Sequence, residues 1–270
     1  GRTLSWGARR RKVVVRPTAP VRWNPWLDRL RDALIVAVAL AALWRVFHFV
    51  HSEVGWAEAV HVLWLGTLTM LRVVVLIALA AVVWVPIGIR IGLNPSVARI
   101  AQPIAQFMAA FPANLMFPLA VMAIVKFHLN PEIWLSPLMI FGTQWYILFN
   151  VVAGASGIPS ELRLAARNFG LRGWLLWRRF LIPAVFPSLL TGLVTAAGGS
   201  WNASIVSEYV TWGDRTLVAT GLGSYIAEMT ARGDFPRIAL GICVMALFVV
   251  GFNRLLWNRL YDLAQSRTRL

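Results

Sequence analysis

A polar island, Ser160 to Pro183 (SELRLAARNFGLRGWLLWRRFLIP), stands between two long apolar runs and constrains the fold more than any other stretch. It holds five arginines, Arg163, Arg167, Arg172, Arg178 and Arg179, against one acid, Glu161. In a membrane protein such a loop belongs on the cytoplasmic side, where Lys and Arg are retained. The island is also patterned. Pro159-Ser160 reads as a helix start, Leu162, Ala165, Ala166 and Phe169 follow at helical spacing, and Gly170 supplies a stop. A second short helix, Arg172 to Leu181, is expected to end before Pro183, because the residue before a proline is pushed out of the helical region. The island reads as a helix–Gly–helix unit under the membrane, presented to a soluble partner.

Composition agrees with that placement. Of 270 residues, 59% are hydrophobic and 14% are charged, against roughly 25% charged in a soluble domain. The chain is therefore read as an integral membrane protein. The net charge of +15 does not call for nucleic acid, because the basic residues flank apolar runs and follow the positive-inside rule. The single cysteine, Cys243, lies in an apolar run and is read as packing. Gly1 to Arg31 carries nine basic residues and no apolar core at its start, so no signal peptide is expected. A chain beginning on Gly1 suits a processed product or the later part of a longer polypeptide.

Residues 1–31 form a basic arm, with the cluster Arg9 to Lys12 drawn to anionic headgroups and Trp23 and Trp26 as interfacial anchors. Residues 32–264 are expected to hold six spans, and 265–270 a cytoplasmic tail. The first span is Ala33 to Val50. The loop His48 to His61, with Glu53 and Glu58, is expected outside, and its histidines match no standard zinc spacing. The second span lies within Val62 to Gly92. Arg72, ahead of its clean apolar core, has two readings: an interfacial arginine pairing with a headgroup or Glu, or an intramembrane cation facing the bundle that favours an anionic solute.

The third span, Ile100 to Val125, is uncharged but carries Pro103, Pro112 and Pro118, so a kink or unwinding is expected around Ala109 to Asn114. His128 to Glu132 reads as an external turn. The fourth span falls within Ile133 to Ala155, with Gln144 and Asn150 facing the bundle. The fifth, Ala184 to Ser207, is rich in small residues, with Glu208 closing it at the outside. Leu217 to Met229 reads as a short interfacial helix. The sixth span, Ile238 to Asn253, precedes a basic ending. The expected fold is all-α: a six-helix polytopic protein with both termini cytoplasmic. Asn114, Gln144, Asn150, Thr195, Ser200 and Asn202 are the candidate pathway-lining residues, and Arg72 the candidate for anion attraction.

The island resembles the cytoplasmic EAA loop of ATP-binding-cassette importer permeases. That pattern is Glu-Ala-Ala, three residues, Gly, then nine residues before Ile-x-Leu-Pro. Ala165, Ala166, Gly170 and Pro183 fall in register, and Phe180 and Ile182 take the apolar positions. Leu164 stands where the family has glutamate, with Glu161 one turn earlier. Val85 to Gly88, Trp201 to Glu208, Thr216 to Gly223 and Trp257 to Ala264 are similar to the nitrate/taurine/sulfonate and bicarbonate branch. The resemblance implies a type I permease of the bacterial inner membrane. It implies coupling through Ser160, Glu161, Leu164, Ala165, Ala166, Arg167, Gly170 and Pro183 to ATP-binding-cassette ATPase subunits, in which ATP and Mg are bound. It implies a second permease domain, from the same or a fused chain, and a solute-binding protein. This chain itself is expected to bind no cofactor or metal and to be no enzyme, since it lacks a G-x-x-x-x-G-K-[ST] phosphate loop. The competing readings are a membrane enzyme built on the His/Glu external loop and a secondary transporter, which would need charged coupling residues inside its spans.

Overall fold

The computed structural model describes residues 25–257 and 259–260; most of the basic arm, the tail 265–270 and most of the Trp257 to Ala264 ending lie outside the described residues. The chain divides into residues 1–48 and 49–270. Of the first unit, helix α1 (Pro25–Glu53) carries the expected first span. The second unit begins at Phe49, within the last turns of α1, and the expected loop His48 to His61 shrinks to a break before α2 (Trp56–Gly92). The apolar periodicity continues through Trp56 to His61, so these residues extend the helix instead of looping.

The order thereafter is α3 (Pro95–Ala110), a 3-10 turn (Ala113–Met116), α4 (Phe117–Lys126), α5 (Pro131–Trp134), α6 (Ser136–Phe141), α7 (Gln144–Ser156), α8 (Ser160–Asn168) and α9 (Gly173–Leu176). A π-turn (Trp177–Leu181) leads into α10 (Ile182–Ser207), a hairpin β1 (Tyr209–Trp212) and β2 (Arg215–Val218), α11 (Leu222–Arg232) and α12 (Phe235–Phe252), which continues as a π-turn (Asn253–Trp257). Three helices, Trp56–Gly92, Gly173–Ser207 and Phe235–Trp257, are long and apolar enough to cross a membrane among the described residues. Two bent pairs, Pro95–Ala110 with Ala113–Lys126 and Pro131–Phe141 with Gln144–Ser156, raise the number to five if each is one span. The fold is thus a polytopic all-α bundle with one short antiparallel ribbon, and the sixth expected span falls on α12.

The third expected span is sharply broken. Phe111 and Pro112 are both extended (ψ 130° and 99°), and the axis turns by 79°. Pro112 forces this, because its ring excludes the helical region for Phe111. Pro118 then sits in the first turn of α4, where its missing N–H costs nothing.

The expected stop before Pro183 does not occur. The helix runs from Gly173 to Ser207, and Pro183 lies in the first turn after the π-turn Trp177–Leu181. A π-turn widens the helix by one residue, which relieves the clash of a proline ring with the carbonyl a turn earlier.

At the centre, α7 is packed between α2 and α10. Ile147 and Val151 are fully buried, and on α10 the small residues point towards them. A Cβ on Gly192 would stand 3.0 Å from the Tyr146 carbonyl oxygen and 3.1 Å from the Asn150 Cβ. Lipid is as apolar as leucine, so close packing of this kind holds such helices together rather than water exclusion.

Candidate functional site

The first site is the island. Pro159 precedes α8, and Gly170, at φ +72°, ends it. The Gly170 N–H donates to the Arg167 carbonyl (2.9 Å) and the Leu171 N–H to the Ala166 carbonyl (3.1 Å). This is a Schellman ending, and its left-handed residue is what the glycine supplies. Ala166 is buried, while Leu164, Arg167 and Gly170 are exposed. The Ser160 hydroxyl donates to Glu161 (3.1 Å). With its own backbone N–H, that bond holds the Glu161 carboxyl below its ordinary value. Arg163 donates to the Leu93 carbonyl (3.4 Å) and Ser156 to the Gly92 carbonyl (3.1 Å), so the island is fastened to the C-terminal end of α2. Outward it presents Phe169, 85% exposed, and Trp174, 72% exposed, among arginines. The arrangement is a fixed knuckle with an apolar and cationic face, placed where α7 leaves the bundle and the helix to α10 enters it. Pro183 stands beyond the knuckle, exposed on that continuous helix.

The second site was not legible in the sequence. It lies on the N-terminal half of α2, towards the end of the bundle away from the knuckle. Glu208, expected to close a span at the outside, is 1% exposed. It accepts hydrogen bonds from Thr69 Oγ1 (2.9 Å), Arg72 Nη1 (3.1 Å), Gly223 N (2.7 Å) and Ser224 N (3.2 Å). The Leu222 N–H donates to Thr69 Oγ1 (2.9 Å). The first turn of α11 is therefore capped by side chains from α2 and from the end of α10, with a carboxylate at the positive end of the helix dipole. This overturns the interfacial reading of Leu217 to Met229. Residues 217–218 belong to the ribbon, and α11 is buried along Leu222, Tyr225 and Ile226. At the far side Tyr225 donates to Glu58 (2.9 Å), so the Glu58 expected in an external loop is also engaged with the bundle; burial and that bond push the Tyr225 phenol up.

Arg72 faces the bundle. Its Nη2 donates to Glu132 (2.6 Å) and its Nη1 to the Thr220 carbonyl (2.7 Å) as well as to Glu208. Glu132 in turn accepts from the Thr220 hydroxyl (2.6 Å) and backbone N–H (2.9 Å). One guanidinium is thus shared by two carboxylates, so it presents little free positive charge to a passing anion. A weak signal existed: Glu132 and Glu208 each stand against a long run without charge, and a lone ionisable group at such a depth needs a partner.

The candidate pathway residues separate into two sets. Thr195 and Asn202 lie on one exposed face of α10 with Thr191, Gly198 and Val206, at successive helical spacings. Asn114 is exposed beside a cavity of about 250 Å³ that Thr143, Tyr146 and Gly199 also line. The other three are engaged inside the bundle. Gln144 accepts from Trp84 Nε1 (2.9 Å), Asn150 donates to the Tyr146 carbonyl (2.8 Å), and Ser200 is fully buried against Thr143 (2.9 Å). Cys243 is exposed on α12 rather than packed. Among the described residues no group of three His, Cys, Asp or Glu gathers as a metal site.

Residues 84–269 match the model of the family described as "Binding-protein-dependent transport system inner membrane component". The chain is 28% identical over 205 residues to the nitrate import permease protein NrtB of Leptolyngbya laminosa, covering 76% of this chain and 68% of that protein. It is 28% identical over 196 residues to the bicarbonate transport system permease protein CmpB of Synechococcus elongatus, covering 73% and 66%. A putative ABC transporter permease protein of Methanocaldococcus jannaschii, MJ0413, is 30% identical over 137 residues, covering 51% and 50%. The chain spans about two thirds of the length of the first two relatives. The bundle, the island register and this match over most of the chain lead to one conclusion: the chain belongs to the binding-protein-dependent inner membrane components, the permeases of ATP-binding-cassette importers, in the branch of the nitrate and bicarbonate permeases.

Proposed function

We propose that the chain forms half of a translocation pathway for a small hydrophilic anion of the nitrate, sulfonate/taurine or bicarbonate class. ATP-binding-cassette ATPase subunits dock on residues 160–183 and supply the work, with ATP and Mg bound in those subunits. A second permease domain, from the same or a fused chain, forms the other half. A solute-binding protein delivers the anion, and both termini lie on the cytoplasmic side of the bacterial inner membrane.

The observation that carries this reading is the exposed face of α10. Asn202 leaves its amide and Gly198 its bare backbone on the outside of a spanning helix, beside Thr191 and Thr195, whose hydroxyls donate to the Pro187 and Thr191 carbonyls (3.3 and 2.8 Å). The Asn202 amide is costly against lipid, and small residues at this spacing suit a partner helix. The Asn114 side of the 250 Å³ cavity continues it. The branch relatives supply the anion class. A secondary transporter would use intramembrane charges such as Arg72 and Glu208, but membership of the importer family sets that reading aside.

The test is ATP-driven uptake of labelled nitrate, bicarbonate and taurine into proteoliposomes holding the complete importer and its binding protein. One of the three is expected to accumulate. Asn202→Leu together with Thr195→Val is expected to lower that uptake at least tenfold while the assembled complex survives purification. Uptake unchanged by the double substitution would show that this face is not the pathway.

A further inference from the structure

The segment Ala113–Phe141 is attached to the bundle at two breaks that lie side by side. One is Phe111-Pro112, where the axis turns by 79°; the other is Gly142-Thr143, where it turns by 41°. A Cβ on Gly142 would stand 2.9 Å from the Ala113 Cβ. The Gly142-Thr143 break lines the 250 Å³ cavity, and Ala109 and Ala113, on either side of the other break, line it too. Beyond them the segment has an apolar cluster, Phe117, Val121, Ile124, Leu135 and Leu138, shared with the base of the ribbon through Val210 and Ala219, while its α6 end is anchored in the main core by Met139 and Ile140. Among the described residues, the ion pair that ties this segment to the rest of the bundle is Glu132–Arg72. Glu132 also holds Thr220, in the link between the ribbon and α11.

We propose that Ala113–Phe141 is the gate at the end of the pathway away from the knuckle, and that Glu132 is the latch that holds it shut on Arg72 and Thr220. The inference rests on the reading above, that ATP drives this chain between two states of access. Three features of the cluster argue for a latch rather than a permanent brace. First, the two carboxylates differ: Glu208 is 1% exposed and Glu132 42%. When Glu132 leaves, it goes to water at little cost. Second, Arg72 is not stranded by that departure, because Glu208 and the Thr220 carbonyl still hold it. Removing one partner of a buried pair is expensive when the other is left alone, and here it is not left alone. Third, α7 connects the two ends of the device. Its last residue leads into the knuckle and its first follows the Gly142-Thr143 hinge, so a pull on the knuckle reaches the gate along one rigid helix.

The experiment places cysteines at both sides of the latch, Glu132→Cys with Thr220→Cys, on a Cys243→Ser background in the complete importer. A short bis-methanethiosulfonate crosslinker bridges the pair and is removed by reductant. Crosslinking is expected to be at least fivefold slower in complexes trapped with ATP and vanadate than in nucleotide-free complexes. Equal rates in the two states would overturn the latch. This comparison needs no knowledge of the solute. In proteoliposomes, the crosslinked importer is expected to take up at least tenfold less solute than the same sample after reduction. Full uptake with the bridge in place would also overturn it. If the parent importer takes up none of the three anions, the anion reading fails, and the crosslinking rates still decide the latch. Glu132→Gln, which keeps the volume and loses the charge, is expected to raise ATPase activity in the absence of binding protein several-fold. Unchanged activity in that variant would count against a gating role, since a mere brace would lower the yield of complex instead.

Discussion

The knuckle and the Arg72–Glu208 cluster are both charged regions of one bundle, and they are built on opposite plans. The knuckle leaves Phe169, Trp174 and its charges other than Arg163 outside. Its internal bonds are local, from Arg167 to Gly170 and from Ala166 to Leu171. The cluster turns its charges inward and satisfies them over long separations in sequence: Arg72 reaches Glu208 across 136 positions and Thr69 reaches it across 139. An exposed cation beside water contributes little to stability. A carboxylate enclosed among apolar helices must be fully partnered or it is costly. The knuckle is therefore free to serve a partner, and the cluster is committed to the fold, apart from the half-exposed Glu132.

That contrast can be broken by substitution, and the largest effect should come from the cluster. Glu208→Ala leaves Arg72 short of a partner, Thr69 without its acceptor, and the Gly223 and Ser224 N–H groups bare. A loss of about 3–5 kcal/mol is expected for breaking a buried pair of this kind, read as a fall in melting temperature or as loss of monodisperse complex. A Glu208→Ala protein as stable as the parent would end the distinction drawn above. Next comes Gly192→Val, which drives side-chain atoms into the α7 backbone. Overpacking of this sort costs about 1–3 kcal/mol, again read by thermal unfolding in detergent.

At the knuckle the expected effects on stability are smaller and the effects on coupling larger. Gly170→Val forces a β-branched side chain into the left-handed region at a cost of about 1–2 kcal/mol. Solute-stimulated ATPase activity of the assembled importer should fall much further than stability does, and unchanged coupling would sink the knuckle as a transmission element. Leu164→Glu, on an exposed position, should shift stability by no more than about 0.5 kcal/mol. Its reading is the affinity of ATPase subunits for the permease, measured by copurification.

The smallest expected effect tests a surface charge of the ordinary kind. Asp234 caps α12 by accepting from the Arg237 N–H (3.2 Å) and pairs with its side chain (2.6 Å). Those bonds hold its carboxyl below the ordinary value. A depressed folded pKa gives stability that is present above the unfolded pKa, about 4, and is lost as pH falls through the folded one. The gap between the parent and Asp234→Asn should accordingly be constant from neutral pH down to about pH 5 and close only below about pH 4. A gap that closed at higher pH would mean that another group carries the cap.

How far each region could be read from the sequence follows the same division. The knuckle was legible because its determinants are local. A glycine that must take positive φ, an alanine face at helical spacing and a proline boundary all act within a turn or two. Even there, the stop expected before Pro183 was wrong, because a π-turn can absorb a proline that a regular helix cannot. The break at Phe111-Pro112 was legible for the local reason too, though its size was not. Glu208 was misplaced at the surface because it follows a span, and its burial comes from α11 folding back into the bundle. The hydrophobic period of Leu222 to Met229 says that one face is covered, and it is silent on whether lipid or protein does the covering.

The sequence by itself determined that this chain lives in a membrane, which of its loops are basic, and that Ser160–Pro183 is a helical island with a turn at Gly170. Those follow from transfer energies and from backbone sterics, which are properties of short stretches. Only the tertiary structure decided that Arg72 faces inward, that Glu132 and Glu208 share it, and that Thr195 and Asn202 are left open while Ser200 is closed. The reason is physical. The energy of a charge in an apolar bundle depends on what stands within a few ångströms of it, and here those neighbours come from α2, α5, α10 and α11 at once.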